Sequence, residues 1–392
     1  MPSLSTTVNA IRPGMFAELQ QRIEARGGDL VPLQIGDTAV DPPPEARFTS
    51  DGSADPALYR YGSTVALGSL RSAIARWLGS VRGIADVDPE REVLVGCGGT
   101  HAIFCAARTI LDEGDEVLLA APYWPLSPGV LATCGARVVE VPLTDRLYAD
   151  PSLDAAEPFR ARLTPRTRAL YLITPNNPDG KILSRAQLAQ IAAFAREHDL
   201  WVIADEVYAD HAFDAPHVSM ATLDGMRART ITAYSLSKSH ALAGARIGYL
   251  VAPPEVVVGA RRVSTHTIFN VPVITQRAAL AALEAGPRWV DDARARYREA
   301  RDVAVARLRD LPVDFAVPEG GTYLFVDFAR VLRGRPPRVL LEAAIDRGVI
   351  VAPGAGFGAD YASCARLCYS AVSPERLVVG LDRLREAVDS LV

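Results

Sequence analysis

Lysine is almost missing from this chain. Of its 42 basic residues two are lysines, Lys181 and Lys238, and the other forty are arginines. Arginine stays charged in any protein setting, whereas lysine can shed a proton and act as an amine nucleophile. A chain this biased toward arginine keeps lysine chiefly where arginine cannot do the job. Lys238, inside YSLSKSHALAGARIGYL (234–250), is therefore the first residue to suspect of chemistry. Other shortages exclude whole classes of function. The net charge of −4 carries no basic excess, which argues against nucleic acid or an anionic membrane as partner. No apolar run approaches the roughly 18 residues that suggest a membrane span. The start, MPSLSTTVNAIRPGMF, lacks the basic and long apolar parts of a signal peptide. The five cysteines (97, 105, 134, 364 and 368) are odd in number and lack C-x-x-C spacing, so a reduced, cytoplasmic chain is expected. No metal site, internal repeat or low-complexity tract is expected.

What is present describes an α/β protein. At 392 residues and 49% hydrophobic content, the chain is long enough for two domains and a sizeable core. Between residues 90 and 255, short apolar runs alternate with helix-like segments. The runs are EVLVG (92–96), EVLLAAP (116–122), RVVEVPL (137–143), RALYLIT (168–174), LWVIADE (200–206), TITAYSLS (230–237) and RIGYLVA (246–252). Most are near-continuous in Val, Ile and Leu, as strands covered on both faces should be. Ser184 is placed to cap SRAQLAQIAAFAREHD, in which Leu188, Ile191, Ala192 and Ala195 form one apolar stripe. This alternation predicts a mostly parallel sheet, with ligands beyond the carboxyl ends of its strands. The flanks differ. DPPP (41–44) is extended, and an Arg-rich helical segment near 272–310 leads to a smaller unit with strands near 322–328 and 365–371. The expected division is 1–45 as an N-terminal arm and part of the small domain, 46–275 as the large domain, and 276–392 as the C-terminal small domain.

Polar residues at the predicted strand ends admit two readings each. Gly98 and Gly99 open a helix whose free N–H groups suit a phosphate, or they form a plain turn. Asn176 and Asn177, in PNNPDGK (175–181), are turn formers unless they meet a ligand. Asp205 ends an apolar strand and must either pair with a cation or cap a neighbouring helix. Trp124 in APYWP (121–125) is core by default. Lys238, among Ser235, Ser237 and Ser239, would elsewhere be an ordinary surface lysine.

Taken in order, eight stretches resemble the class I/II aminotransferases, fold-type I pyridoxal-phosphate enzymes of the aspartate aminotransferase superfamily. They are LQIGD (33–37), YGSTVALGSLR (61–71), CGGTHA (97–102), PYW (122–124), PNNPDG (175–180), ADEVY (204–208), SLSKSHALAGAR (235–246) and ARLCYS (365–370). The resemblance implies a large domain with a seven-stranded, mostly parallel sheet and a smaller α+β domain built from both chain ends. It implies pyridoxal 5′-phosphate as cofactor, joined as an imine to Lys238, whose freed amine then shuttles the Cα proton. Asp205 would pair with the pyridine nitrogen, and Asn177 and Tyr208 with the phenolic oxygen. Trp124 would stack on the ring. Gly99, Thr100, Ser235 and Arg246 would hold the phosphate. Arg366 and Gly36 would bind the substrate α-carboxylate, and Asn177 would also contact the substrate. Tyr61 would reach the phosphate of a neighbouring subunit, which makes the protein a homodimer with shared active sites.

The sequence departs from the family pattern in three places. Ala66 stands where members carry Gly, and Asp179 replaces the Thr or Ser of an Asn-Pro-Thr-Gly turn, where it is read as structural. No arginine occurs between Arg262 and Arg277, the region from which dicarboxylate-specific members recruit one; that weakens aspartate as donor unless a protonated His266 substitutes. The leading expectation is amino-group exchange between an α-amino acid and a 2-oxo acid. The alternative is a β-eliminating lyase on the same scaffold, which also begins by removing the Cα proton. A DNA-binding regulator built on this fold is disfavoured, because about 30 residues precede LQIGD and no basic patch occurs.

Overall fold

The computed structural model describes residues 2–11, 19–48 and 56–392. Of the expected arm 1–45, residues 1 and 12–18 lie outside the described residues. A two-residue strand, β1 (Val31–Pro32), precedes the large sheet. That sheet contains β2 (Val93–Gly96), β3 (Glu116–Ala121), β4 (Arg137–Pro142), β5 (Thr167–Ile173), β6 (Trp201–Asp205), β7 (Thr230–Ser235) and β8 (Gly248–Val251). All seven apolar runs are thus strands, in the order β2-β8-β7-β6-β5-β3-β4. Every neighbouring pair among β7, β6, β5, β3 and β4 is parallel, and β8 runs antiparallel to both β2 and β7.

The near-continuous apolar runs are explained by helices on both faces. Because side chains alternate along a strand, Val117, Leu119, Tyr171 and Ile203 pack on one side with Ile103 and Ala106 of the helix Gly98–Ile110. Leu118, Leu170, Leu172 and Val202 pack on the other with Leu188, Ile191, Ala192 and Ala195 of the helix Arg185–Glu197. That helix starts where its sequence says it should: Ser184 accepts from the Gln187 N–H while the Gln187 side chain accepts from the Ser184 N–H.

The smaller unit draws on both ends of the chain. Its strands are β9 (Tyr323–Asp327), β10 (Val349–Ile350), β11 (Ala352–Pro353) and β12 (Cys364–Cys368). β1 pairs with β10, and β12 lies between β11 and β9. Val31 and Leu33 share a core with Tyr297 and Val305 of the helix Arg288–Leu308 and with Leu377 and Leu384 of the helix Pro374–Asp389. The helix Val273–Glu284 packs elsewhere. Its Ala278, Ala279, Ala282 and Leu283 join Leu70, Ile74, Val93 and Tyr249 in a core of the large unit, beyond the boundary expected at 275. Among the described residues no helix is long and apolar enough to cross a membrane.

Candidate active site

The carboxyl ends of β2, β3, β5, β6 and β7 meet along one sheet edge, and a cavity of about 350 Å³ opens there against β9 and β12 of the small unit. Gly36, Gly99, Thr100, Trp124, Asn177, Asp205, Tyr208, Ser235, Lys238, Arg246 and Arg366 all line it. Tyr61 does not. It is 87% exposed, with its ring 5.1 Å from that of Phe269.

One end of the cavity is positively polarised. The helix Gly98–Ile110 begins there, and no side chain caps it, so the positive end of its dipole faces the space. Gly98 has φ +80°, and a Cβ on it would lie 2.6 Å from Arg246 Nη2, so only glycine lets the guanidinium reach this turn. Ser235 closes β7 and caps the short helix Leu236–Ser239, its Oγ accepting from the Ser237 N–H at 3.2 Å. That short helix carries Lys238 into the cavity, where Nζ donates to the Gly36 carbonyl.

The middle of the cavity holds a buried acid. Asp205 ends β6 with Oδ2 accepting from the Tyr171 hydroxyl at 3.1 Å and Oδ1 from the Val207 N–H at 3.3 Å. Burial pushes its carboxyl up to about 6; those two hydrogen bonds and the charge of Lys238 hold it down against that effect. Its neighbour Glu206 has separate partners, the Tyr234 hydroxyl at 2.7 Å and the Ser219 hydroxyl at 2.9 Å.

The far end holds a fixed guanidinium. Arg366, on β12, donates from Nη1 to Asn177 Oδ1 at 2.9 Å and from Nη2 to the Gln34 carbonyl at 2.7 Å. Its Nε is buried and has no hydrogen-bond partner among the described residues. The guanidinium carbon lies 4.2 Å from the Tyr323 ring centroid and 5.1 Å from that of Phe357. Two hydrogen bonds and two aromatic faces fix its plane, leaving N–H groups for a carboxylate.

The departures from the family pattern have local explanations. Ala66 takes φ +68°, the left-handed conformation that costs a residue with a Cβ about 1 kcal/mol. Asp179 is buried within its turn, where it accepts from the Lys181 N–H at 3.0 Å and from Asn176 Nδ2 at 2.9 Å. His266 Nδ1 donates to the Arg262 carbonyl at 2.8 Å. Sequence reading missed two residues. Tyr171 and Tyr323 sit in apolar strands and look like core tyrosines, yet each hydroxyl meets a site residue. Strand register is what reveals Tyr323. Phe325 pairs directly with Arg366 across β9 and β12, and Tyr323, two residues away, lies on the same face.

An anion seat, a buried carboxylate, an amine and a fixed guanidinium in one cavity suit chemistry at the α-carbon of a small carboxylate. The description "Aminotransferase class I and II" matches residues 28–384 of the chain. The chain is similar to an arginine–pyruvate transaminase of Pseudomonas aeruginosa, at 36% identity over 93% of this chain and 90% of that protein. It is similar to aromatic-amino-acid aminotransferase 2 of Thermococcus litoralis, at 30% identity over 98% of each. A solved aspartate aminotransferase of Thermus thermophilus, a single mutant, superposes with a TM-score of 0.88 at 32% identity, covering 99% of this chain and 100% of that one. These relatives transfer amino groups, which favours that reaction over elimination. The chain belongs to the class I and II aminotransferases, and its reaction moves an amino group between an α-amino acid and a 2-oxo acid.

Proposed function

We propose that this aminotransferase works with pyridoxal 5′-phosphate seated in the sheet-edge cavity. The observation that carries the reading is that Lys238 and the buried Asp205 open onto one space beside an uncapped helix start. The donor set suits the cofactor part by part. Gly99, Thr100, Ser235 and Arg246 suit its phosphate, and Trp124 offers a ring to stack on. Asn177 and Tyr208 suit its phenolic oxygen. Once bound, it supplies an electron sink for the pair released when the Cα–H bond breaks.

The chain's own residues do the rest. Asp205 would keep a proton on the ring nitrogen, because a carboxylate buried this deeply is stabilised by a cation beside it. Lys238 Nζ would hold the cofactor and, as a free amine, would take the proton from Cα. Arg366 grips the substrate α-carboxylate and Gly36 supplies a backbone contact to it, which aims the Cα–H bond toward Lys238. Orientation of this kind lowers the entropic part of the barrier for the bond that is aimed.

The exposed Tyr61 supports a homodimer with shared sites, in which this ring reaches the phosphate seat of the partner subunit. Tyr59, Phe269 and Ile274 are exposed in the same chain at 87%, 46% and 41%, apolar surface that a second copy would cover. All five cysteines are free, which supports a reducing, cytoplasmic setting.

The reaction type has a direct test. Purified holoenzyme given an amino acid and no oxo acid should release one equivalent of 2-oxo acid per site and stop. Adding an oxo acid should restart it. Continuous release of ammonia with the oxo acid would contradict transfer and indicate elimination.

A further inference from the structure

Tyr323 is 1% exposed, yet it touches both halves of the site. Its hydroxyl lies 2.6 Å from the Tyr208 hydroxyl, and the two rings meet edge to face at 5.5 Å. The same ring lies under the Arg366 guanidinium at 4.2 Å. It also sits so close to Gly36 that a Cβ there would fall 2.1 Å from the Tyr323 oxygen. That close approach ties the loop carrying the Gly36 carbonyl, the acceptor of Lys238 Nζ, to the same ring.

We propose that Tyr323 is a positioning residue that sets the direction of the Tyr208 hydroxyl and the plane of the Arg366 guanidinium at once. The proposal rests on the roles of Tyr208 and Arg366 in the proposed function, and proton count fixes the direction of the bond. A tyrosine hydroxyl has one proton to give. If Tyr208 spent its proton on Tyr323, it would have none for the phenolic oxygen of the cofactor. Tyr323 must therefore donate to Tyr208, and the Tyr208 proton points into the cavity. A hydroxyl that accepts one hydrogen bond also donates a stronger one. Tyr323 thereby strengthens the bond Tyr208 makes to the cofactor without touching the cofactor itself. Its ring acts separately, as a flat π-face that keeps Arg366 from tilting and attracts its charge.

The two functions separate by substitution. In Tyr323→Phe the ring stays and the hydroxyl goes. In Tyr323→Leu both go. The first readout is the pH titration of the visible absorbance of the cofactor in the holoenzyme. Losing donation to the phenolic oxygen disfavours its ionised form, so Tyr208→Phe should raise the apparent pKa of this titration. Tyr323→Phe should raise it in the same direction by a smaller amount, roughly 0.3–1 pH unit. The double variant should match Tyr208→Phe alone, because Tyr323 acts only through Tyr208. The second readout is the affinity for an unreactive monocarboxylate. It should stay within about twofold in Tyr323→Phe and weaken roughly tenfold in Tyr323→Leu, the size expected for a lost cation–π contact.

If Tyr208→Phe shifts the titration and Tyr323→Phe does not, the positioning role is wrong while the cofactor assignment stands. If Tyr208→Phe leaves the titration unmoved, the assignment of Tyr208 itself fails. Equal monocarboxylate affinity in the Phe and Leu variants would overturn the role of the ring.

Discussion

Replacing Lys238 by alanine or by arginine should lower kcat/KM by more than about 10⁴-fold, the loss expected when nucleophile and proton carrier disappear together. The arginine variant is the more informative. It keeps a long cationic side chain, so charge near Asp205 is retained, but a guanidinium neither bonds to an aldehyde nor gives up its proton near neutral pH. No other lysine can take over. Lys181 is engaged 2.6 Å from Glu319 Oε1, with its ammonium 4.7 Å from the Tyr148 ring centroid. Steady-state rates with the best donor, combined with a cofactor titration, separate loss of chemistry from loss of binding. Retained turnover in Lys238→Arg would remove Lys238 from the reaction.

Asp205→Asn should show opposite effects on rate and on stability. Turnover should fall by roughly 10²–10³-fold or more, because the group proposed to stabilise charge at the ring nitrogen is gone. The apoprotein should become more stable. Burial raises the Asp205 carboxyl from its ordinary value to about 6, so between about pH 4 and 6 the folded state holds a proton that the unfolded state has lost. Stability therefore declines as pH rises through that window, and above it the folded apoprotein carries an ionised, buried carboxylate. The cost is on the order of 2–3 kcal/mol. Asparagine carries no such charge. The variant apoprotein should melt several degrees higher than the parent at pH 8, with the gap closing toward pH 4. Thermal melts of both apoproteins across that range check the sign. A gap of constant size, or a less stable variant at pH 8, would show that Asp205 is not a strained carboxylate awaiting a cation.

Much of the site was legible because its residues sit at strand ends, and strand ends can be read from local pattern. The apolar runs mark β2, β3, β5, β6 and β7, and the first polar residues after them include Thr100, Asn177, Asp205, Tyr208 and Lys238. Ser184 announces its helix through a capping box that needs only four consecutive residues. Tyr323 was not legible because its meaning depends on register between strands forty residues apart. Only the pairing of Phe325 with Arg366 puts its ring under the guanidinium. Tyr171 has the same difficulty: an aromatic in a buried strand reads as core until a neighbouring strand brings Asp205 to its hydroxyl. The packing of the helix Val273–Glu284 was not legible for a related reason: only tertiary contact shows that it lies on the helix Gly68–Arg82.

A covalent link between Lys238 and the cofactor aldehyde is the central expectation. Protein saturated with pyridoxal 5′-phosphate, reduced with borohydride and digested should carry one phosphopyridoxyl group on the peptide containing Lys238, visible by mass spectrometry. The same group on the Lys181 peptide alone, or on no lysine peptide, would contradict it.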